Sequence, residues 1–283
     1  VPTRPTLPLS NAFPYFPNEF NASTTFGITF SGGGARGAAH IGVLKALEEF
    51  GIEPTHVVGV SAGAIVGALY AAGKKPQEMM DFIAESSMIR VIKFGIPRTG
   101  LTTMDYLRTR ISEMLPENDF ESLKKPLHIG VTNISAGAFE LHNSGKLHDL
   151  IAASCSIPFV FKPMEIDGTL YVDGGIMNNM ATLPLEGKVD YIIGSNLIPP
   201  KALEKKYLSS VISISWRCFD LSVMANTSPC TQRCDILFEP PAVADHNIFS
   251  FSKIQELYDI GYNHAKEMLE RELVFTEETV LRS

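Results

Sequence analysis

Apolar positions along the chain follow two periods. Phe26 to Ser31 and Val57 to Val60 are short, β-branched, apolar stretches bounded by turn residues, the pattern of buried strands. Each leads into a helical run. From about Arg36 to Phe50, Ile41, Leu44, Ala46 and Leu47 form an apolar face with Lys45, Glu48 and Glu49 opposite, and Gly51 supplies the helix stop. After Ser61 a second helix runs to about Ala72 and stops at Gly73. Its small residues, among them Ala62, Gly63, Ala64, Gly67 and Ala68, suit a buried helix that approaches its neighbours closely. The order strand, helix, strand, helix calls for a parallel sheet with right-handed crossovers. Further strands are expected at Leu127–Ile134, Phe139–His142, Leu170–Val172, Tyr191–Ser195, Val211–Ser215 and Ile236–Phe238. A last helix around Phe251–Glu270 places Ile254, Leu257, Gly261, Ala265 and Met268 on one face.

The 283 residues are 45% hydrophobic and 19% charged, the balance of a folded globular chain. We expect one domain over 26–283, preceded by an extended arm over 1–25 in which Pro2, Pro5, Pro8, Pro14 and Pro17 recur. A net charge of -7 gives no electrostatic reason to bind nucleic acid. No apolar run is long enough to cross a bilayer, so membrane contact is expected to be peripheral and the location cytoplasmic or peripheral to a membrane. Because the chain starts at Val1, a removed leader stays open. Cys155, Cys218, Cys230 and Cys234 match neither a zinc ribbon nor a redox pair and read as free thiols. No calcium loop or zinc-ligand cluster is present, so neither metal nor cofactor is expected.

Two glycine-framed segments carry the chemistry. Gly59-Val60-Ser61-Ala62-Gly63 sits between a strand and a helix, where a nucleophile needs a tight turn free of flanking side chains. Ser61 at the helix start also has backbone amides and the positive dipole end beside it. The segment Gly32-Gly33-Gly34-Ala35-Arg36-Gly37 formally fits a dinucleotide loop. That reading requires an acidic residue at the end of the second strand, where Ser61 stands instead. We therefore expect the Gly33 and Gly34 amides to cradle an oxyanion, with Arg36 orienting the loop, meeting a phosphate, or simply lying on the surface.

With Asp173-Gly174-Gly175 in third place, the set resembles the signature of patatin-like phospholipases, bacterial branch. The similarity continues through Ala153-Ser154-Cys155-Ser156-Ile157-Pro158 and Phe161-Lys162-Pro163 to Asp167-Gly168 and Tyr171-Val172-Asp173, and covers about residues 26 to 200. One departure is Asn178-Asn179-Met180-Ala181, where the family commonly has a proline. The resemblance implies a three-layer α/β/α fold with a mainly parallel central sheet. It also implies a Ser-Asp dyad, with Ser61 as nucleophile and Asp173 as general base, acting on lipid or phospholipid esters through an acyl-serine. An aspartate of pKa about 4 is a weak base for a hydroxyl unless burial assists it.

Alternatives stay open at this level. A Ser-acid-His triad could recruit His246 or His264, whereas His40 and His56 read as packing residues. The acyl-enzyme could pass its acyl group to an alcohol or thiol, or the domain could bind lipid without catalysis. The apolar, poorly periodic stretch Ser86 to Met104 could cover the acyl pocket, with Ile92 and Phe94 against lipid and Arg90, Lys93 and Arg98 meeting headgroups, or could pack as ordinary core.

Overall fold

A computed structural model describes residues 23–85 and 103–280. Most of the expected arm, and most of the Ser86 to Met104 stretch with Arg90, Ile92, Lys93, Phe94 and Arg98, lie outside the described residues. The elements in chain order are β1 (Phe26–Phe30), α1 (Ala38–Glu49), β2 (His56–Val60), α2 (Ala62–Ala71), α3 (Pro76–Glu85), α4 (Asp105–Met114), β3 (Leu127–Asn133) and β4 (Ala138–His142). There follow α5 (Leu147–Ser154), β5 (Met164–Ile166), β6 (Thr169–Asp173), β7 (Tyr191–Ser195), α6 (Val211–Thr231), β8 (Ile236–Phe238) and α7 (Ile254–Val280).

All eight strands form one sheet in the order β5-β6-β3-β2-β1-β7-β8, with β4 also paired to β3. β1, β2, β3, β7 and β8 are mutually parallel, β4 and β6 pair antiparallel with β3, and β5 pairs antiparallel with β6. Strand alternation divides the apolar residues between two faces. Phe26, Ile28, Phe30, Val57 and Ile129 join the larger core with α1 and α2, whereas Val58 and Ile192 meet Ala181 and Leu185 in a smaller one. On the larger side α7 lies across α1 at backbone contact: a Cβ on Gly42 would strike the Tyr258 carbonyl, and one on Gly261 the Ala39 carbonyl. On the other side Asn226 of α6 is bonded to the turn after β6, through the carbonyls of Gly175 and Ile176.

One expected strand is corrected. Val211–Ser215 alternates like a strand, yet it opens the 21-residue helix α6. Ser210 and Ser213 form a reciprocal capping box, the Ser213 N–H donating to Ser210 Oγ at 3.1 Å, and this start signal overrides the β-branched pattern. Among the described residues, no helix is long and apolar enough to cross a membrane.

Candidate active site

β3 fixes where the site lies. β4 pairs with residues 129–133 of β3 and so takes one of its edges. The other edge is shared by two strands. β2 runs parallel along it until Val60 stands opposite Gly130, and β6 runs antiparallel along it until Asp173 stands opposite Val131. The two strands therefore point at each other head-on, and the residues at their tips meet. Ser61 Oγ donates to Asp173 Oδ2 at 2.6 Å across 112 positions of sequence.

The Ser61 tip is shaped by its backbone. With φ 54° and ψ -124° it occupies a region that L residues rarely adopt, worth about 1–3 kcal/mol of strain. Flanking glycines make room for the turn: a Cβ on Gly59 would collide with the Gly63 carbonyl, and one on Gly63 with the Phe30 carbonyl. The Ser61 N–H donates to Ser154 Oγ at 2.7 Å, and Ser154 donates on to the Gly130 carbonyl at 2.7 Å.

Hydrogen bonds shape the Asp173 tip. Its Oδ1 accepts the Gly175 N–H at 2.8 Å, and its carbonyl accepts the Thr132 hydroxyl at 3.0 Å. Gly174 is needed because a Cβ there would strike the Gly130 carbonyl. Ser61 and Asp173 are each only 4% exposed. Burial pushes the Asp173 carboxyl up to about 6, against the opposing pull of the Ser61 and Gly175 hydrogen bonds. The neighbouring Cys155 thiol is pushed up by its own burial and by the Asp173 charge, which keeps it protonated beside Ser61.

The glycine loop is tied down on three sides. Gly32 N–H donates to the Asn179 carbonyl and to Asn179 Oδ1, both at 3.1 Å. Gly34 has φ +59°, and the Ile248 carbonyl that accepts the Ala35 N–H occupies the space of any Cβ at Gly34. Arg36 donates to the His246 carbonyl at 2.9 and 2.7 Å and to the Leu197 carbonyl at 3.1 Å, the loop-orienting geometry among its three expected roles. Gly37 lets the loop approach the Ala62 methyl. Among the described residues the amides of Gly33, Gly34 and Ala62 have no backbone acceptor outside their own helices, and Gly34 and Ala62 line the same pocket as Ser61.

An apolar pocket opens beside Ser61 and runs between Val66, Phe82, Leu107, Ile157, Phe161 and Phe249, a lining suited to an acyl chain. Met104, the described end of the Ser86 to Met104 stretch, also lines it. The histidines stand elsewhere. His40 is buried between Ser195 Oγ and the Ser31 carbonyl, with burial lowering its pKa to about 4, and the His246 ring lies 3.6 Å from Glu256. His264 is half-buried on α7. No hydrogen bond among the described residues joins a histidine to Ser61 or Asp173. Nor do three His, Cys, Asp or Glu side chains converge there as metal ligands.

Residues 28–186 match the family profile described as patatin-like phospholipase, more than half of the chain. The chain belongs to that family. An uncharacterized NTE family protein of Mycobacterium tuberculosis is 31% identical over 169 residues, 59% of this chain and 47% of that one. A protein of Aspergillus fumigatus named lysophospholipase nte1 is 26% identical over 275 residues, covering 87% of this chain but 18% of its own. The chain thus spans about half the length, or less, of these curated relatives. Among solved structures, VipD from Legionella pneumophila aligns with TM-score 0.45 at 17% identity, covering 83% of this chain and 67% of that one. Human GIVD cytosolic phospholipase A2 aligns with TM-score 0.45 at 12% identity, over 89% and 60% respectively.

Three supporting residues went unrecognised in the sequence. Ser154 and Asn179 stand inside the quoted motifs, but as hydroxyl and amide they carried no signal of the backbone groups they would bond. Asn226 is 53 positions beyond Asp173 in a helix read partly as a strand, and only the fold brings it to the turn.

Proposed function

We propose that this patatin-like chain hydrolyses carboxyl esters of lipids, with residues 26–283 acting as one hydrolase domain on substrates drawn from a lipid surface. The 2.6 Å hydrogen bond between Ser61 and a buried Asp173, at the head of an apolar pocket, carries this reading. Ser61 Oγ attacks the ester carbonyl while its proton passes to Asp173, whose raised pKa makes it a better base than an exposed aspartate. The amides of Gly33 and Gly34, joined by that of Ala62, hold the oxyanion. As the tetrahedral intermediate collapses, Asp173 returns the proton to the leaving alcohol and an acyl-serine remains. Water then attacks the acyl-serine with Asp173 accepting its proton, the fatty acid departs, and Ser61 regains the proton.

The name of the fungal relatives makes lysophospholipids the first substrates to assay. A fluorophosphonate probe should label the protein on Ser61 and leave Ser61→Ala unlabelled, and free fatty acid should appear by mass spectrometry only with the unsubstituted protein. Equal labelling of both would overturn the assignment of the nucleophile.

A further inference from the structure

One edge of β3 changes partner between Gly130 and Val131: Val60 of β2 stands opposite the first, and Asp173 of β6 opposite the second. Such a handover leaves backbone groups without a ladder partner, and buried groups so left are costly. Two of them, the Ser61 N–H and the Gly130 carbonyl, are joined through one hydroxyl. The Ser61 N–H donates to Ser154 Oγ at 2.7 Å, and Ser154 donates to the Gly130 carbonyl at 2.7 Å. A third, the Asp173 N–H, donates to the Ser156 carbonyl at 3.0 Å. The last residue of α5 and the two after it thus receive the main-chain amides of both reacting residues. Cys155, between them, lines the pocket beside Ser61.

The polar groups of Ser61 are held by three elements: its N–H by Ser154 at the end of α5, its carbonyl by the Ala64 N–H of α2 at 2.8 Å, and its hydroxyl by Asp173 at the end of β6. The peptide between Val60 and Ser61 is therefore fixed in one plane, although φ 54° at Ser61 is disfavoured for an L residue. Without the Ser154 hydroxyl, rotation of that peptide relaxes the strain. The same rotation swings Ser61 Oγ away from Asp173. Register on β3 fixes how far apart the two residues stand, whereas the direction of the Ser61 hydroxyl depends on this peptide. Ser154 is fully buried, so bulk water does not replace its hydroxyl.

We propose that Ser154 is a positioning residue for the nucleophile: its hydroxyl, inserted between β2 and β3, holds the strained Val60–Ser61 peptide in the orientation that aims Ser61 Oγ at Asp173 and at the substrate carbonyl. It touches no reacting atom itself. Because the Ser61 N–H is committed to Ser154, the oxyanion is left to the glycine loop and Ala62. A packing role alone would need only the volume of a serine, which alanine or cysteine largely supplies. A positioning role needs the acceptor and the donor together. The inference rests on the lipid-ester reading above and adds to it a residue that acts through Ser61.

The test compares Ser154→Ala and Ser154→Cys with the unsubstituted protein on a lysophospholipid, with rates expressed per folded protein as judged by circular dichroism. Ser154→Ala should lower kcat by about a hundredfold with KM within about twofold, the effect of misplacing a nucleophile by about an ångström. Labelling of Ser61 by a fluorophosphonate, which reports the attack alone, should slow by the same factor. Since the Ser61 hydrogen bond holds the Asp173 carboxyl down against burial, its weakening should move the acid limb of kcat/KM upward from about 6. Ser154→Cys keeps the volume but donates and accepts weakly; it should change all three in the same direction, and it stands in where alanine fails to fold. Leu47→Ala, a cavity in the core away from the site, should lower the melting temperature and leave the acid limb in place. Turnover and labelling of both Ser154 variants within about twofold of the unsubstituted protein, a loss of rate with the acid limb unmoved, or failure of both to fold would overturn the inference. An unsubstituted protein without turnover or labelling would overturn the hydrolase reading, and this inference with it.

Discussion

The two strand tips that meet at the site are held by the same two forces in different proportion, since Ser154 also bonds the Ser61 amide and Gly174 also clears the Gly130 carbonyl. At the end of β2, Ser61 is fixed by steric exclusion: an unfavoured backbone conformation and glycines whose missing side chains leave room for carbonyls. At the end of β6, Asp173 has ordinary dihedral angles and is fixed by donors reaching it from Ser61, Gly175 and Thr132. Packing collisions are all-or-nothing, whereas hydrogen bonds can be removed one at a time. Substitution of the glycines at either tip should therefore unfold the chain, whereas removing a side-chain hydrogen bond around Asp173 should cost rate.

The largest separation should come from Asp173→Asn. Turnover is expected to fall by about 10⁴-fold, since the amide keeps the shape but cannot accept the Ser61 proton. Circular dichroism should show the fold retained, and substantial residual activity would break the assignment of Asp173 as base. Gly63→Ala should do the reverse and destabilise by about 3 kcal/mol or more, because the added methyl meets the backbone carbonyl of Phe30 rather than a movable side chain. A melting temperature near that of the unsubstituted protein would remove the steric account of the Ser61 tip.

The pH dependence sharpens the contrast further. With the Asp173 carboxyl at about 6, kcat/KM should fall about tenfold per pH unit below that value and level off above it. Stability should run the opposite way. The native state binds the proton more tightly than the unfolded chain, whose carboxyl has its ordinary value of 3.8, so stability contributed by the neutral form is lost as pH rises from about 4 through 6. That difference corresponds to about 3 kcal/mol, and denaturation of Asp173→Asn across the same range should lack it. The smallest effect is expected from Asn226→Ala. It removes the donor to the Gly175 and Ile176 carbonyls and should reduce turnover by about tenfold while costing about 1–2 kcal/mol of stability.

The Ser61 half of this comparison is more legible in the sequence than the Asp173 half. Steric constraints leave glycines, and glycines at 59 and 63 around a serine, after a β-branched run and before a helix, are visible without a structure. The five parallel strands were likewise readable from apolar runs that alternate with helices. Hydrogen-bond constraints leave less trace, because Ser154, Asn179 and Asn226 are residues that surfaces use everywhere. Val211–Ser215 reads as a strand because a two-residue period and β-branching dominate over five positions. Ser210 and Ser213 decide the local structure through a pair of hydrogen bonds that the period does not register.

The edge of β3 works as a ruler. Because Val60 and Asp173 stand opposite consecutive residues of one strand, the distance between nucleophile and acid is set by sheet register and not by the length of chain between them. The connections within this separation of 112 can lengthen, shorten or be replaced, provided β3 and its two partners still form. Extra segments placed between Ser61 and Asp173 could therefore change what the pocket accepts without disturbing the meeting of the two reacting atoms.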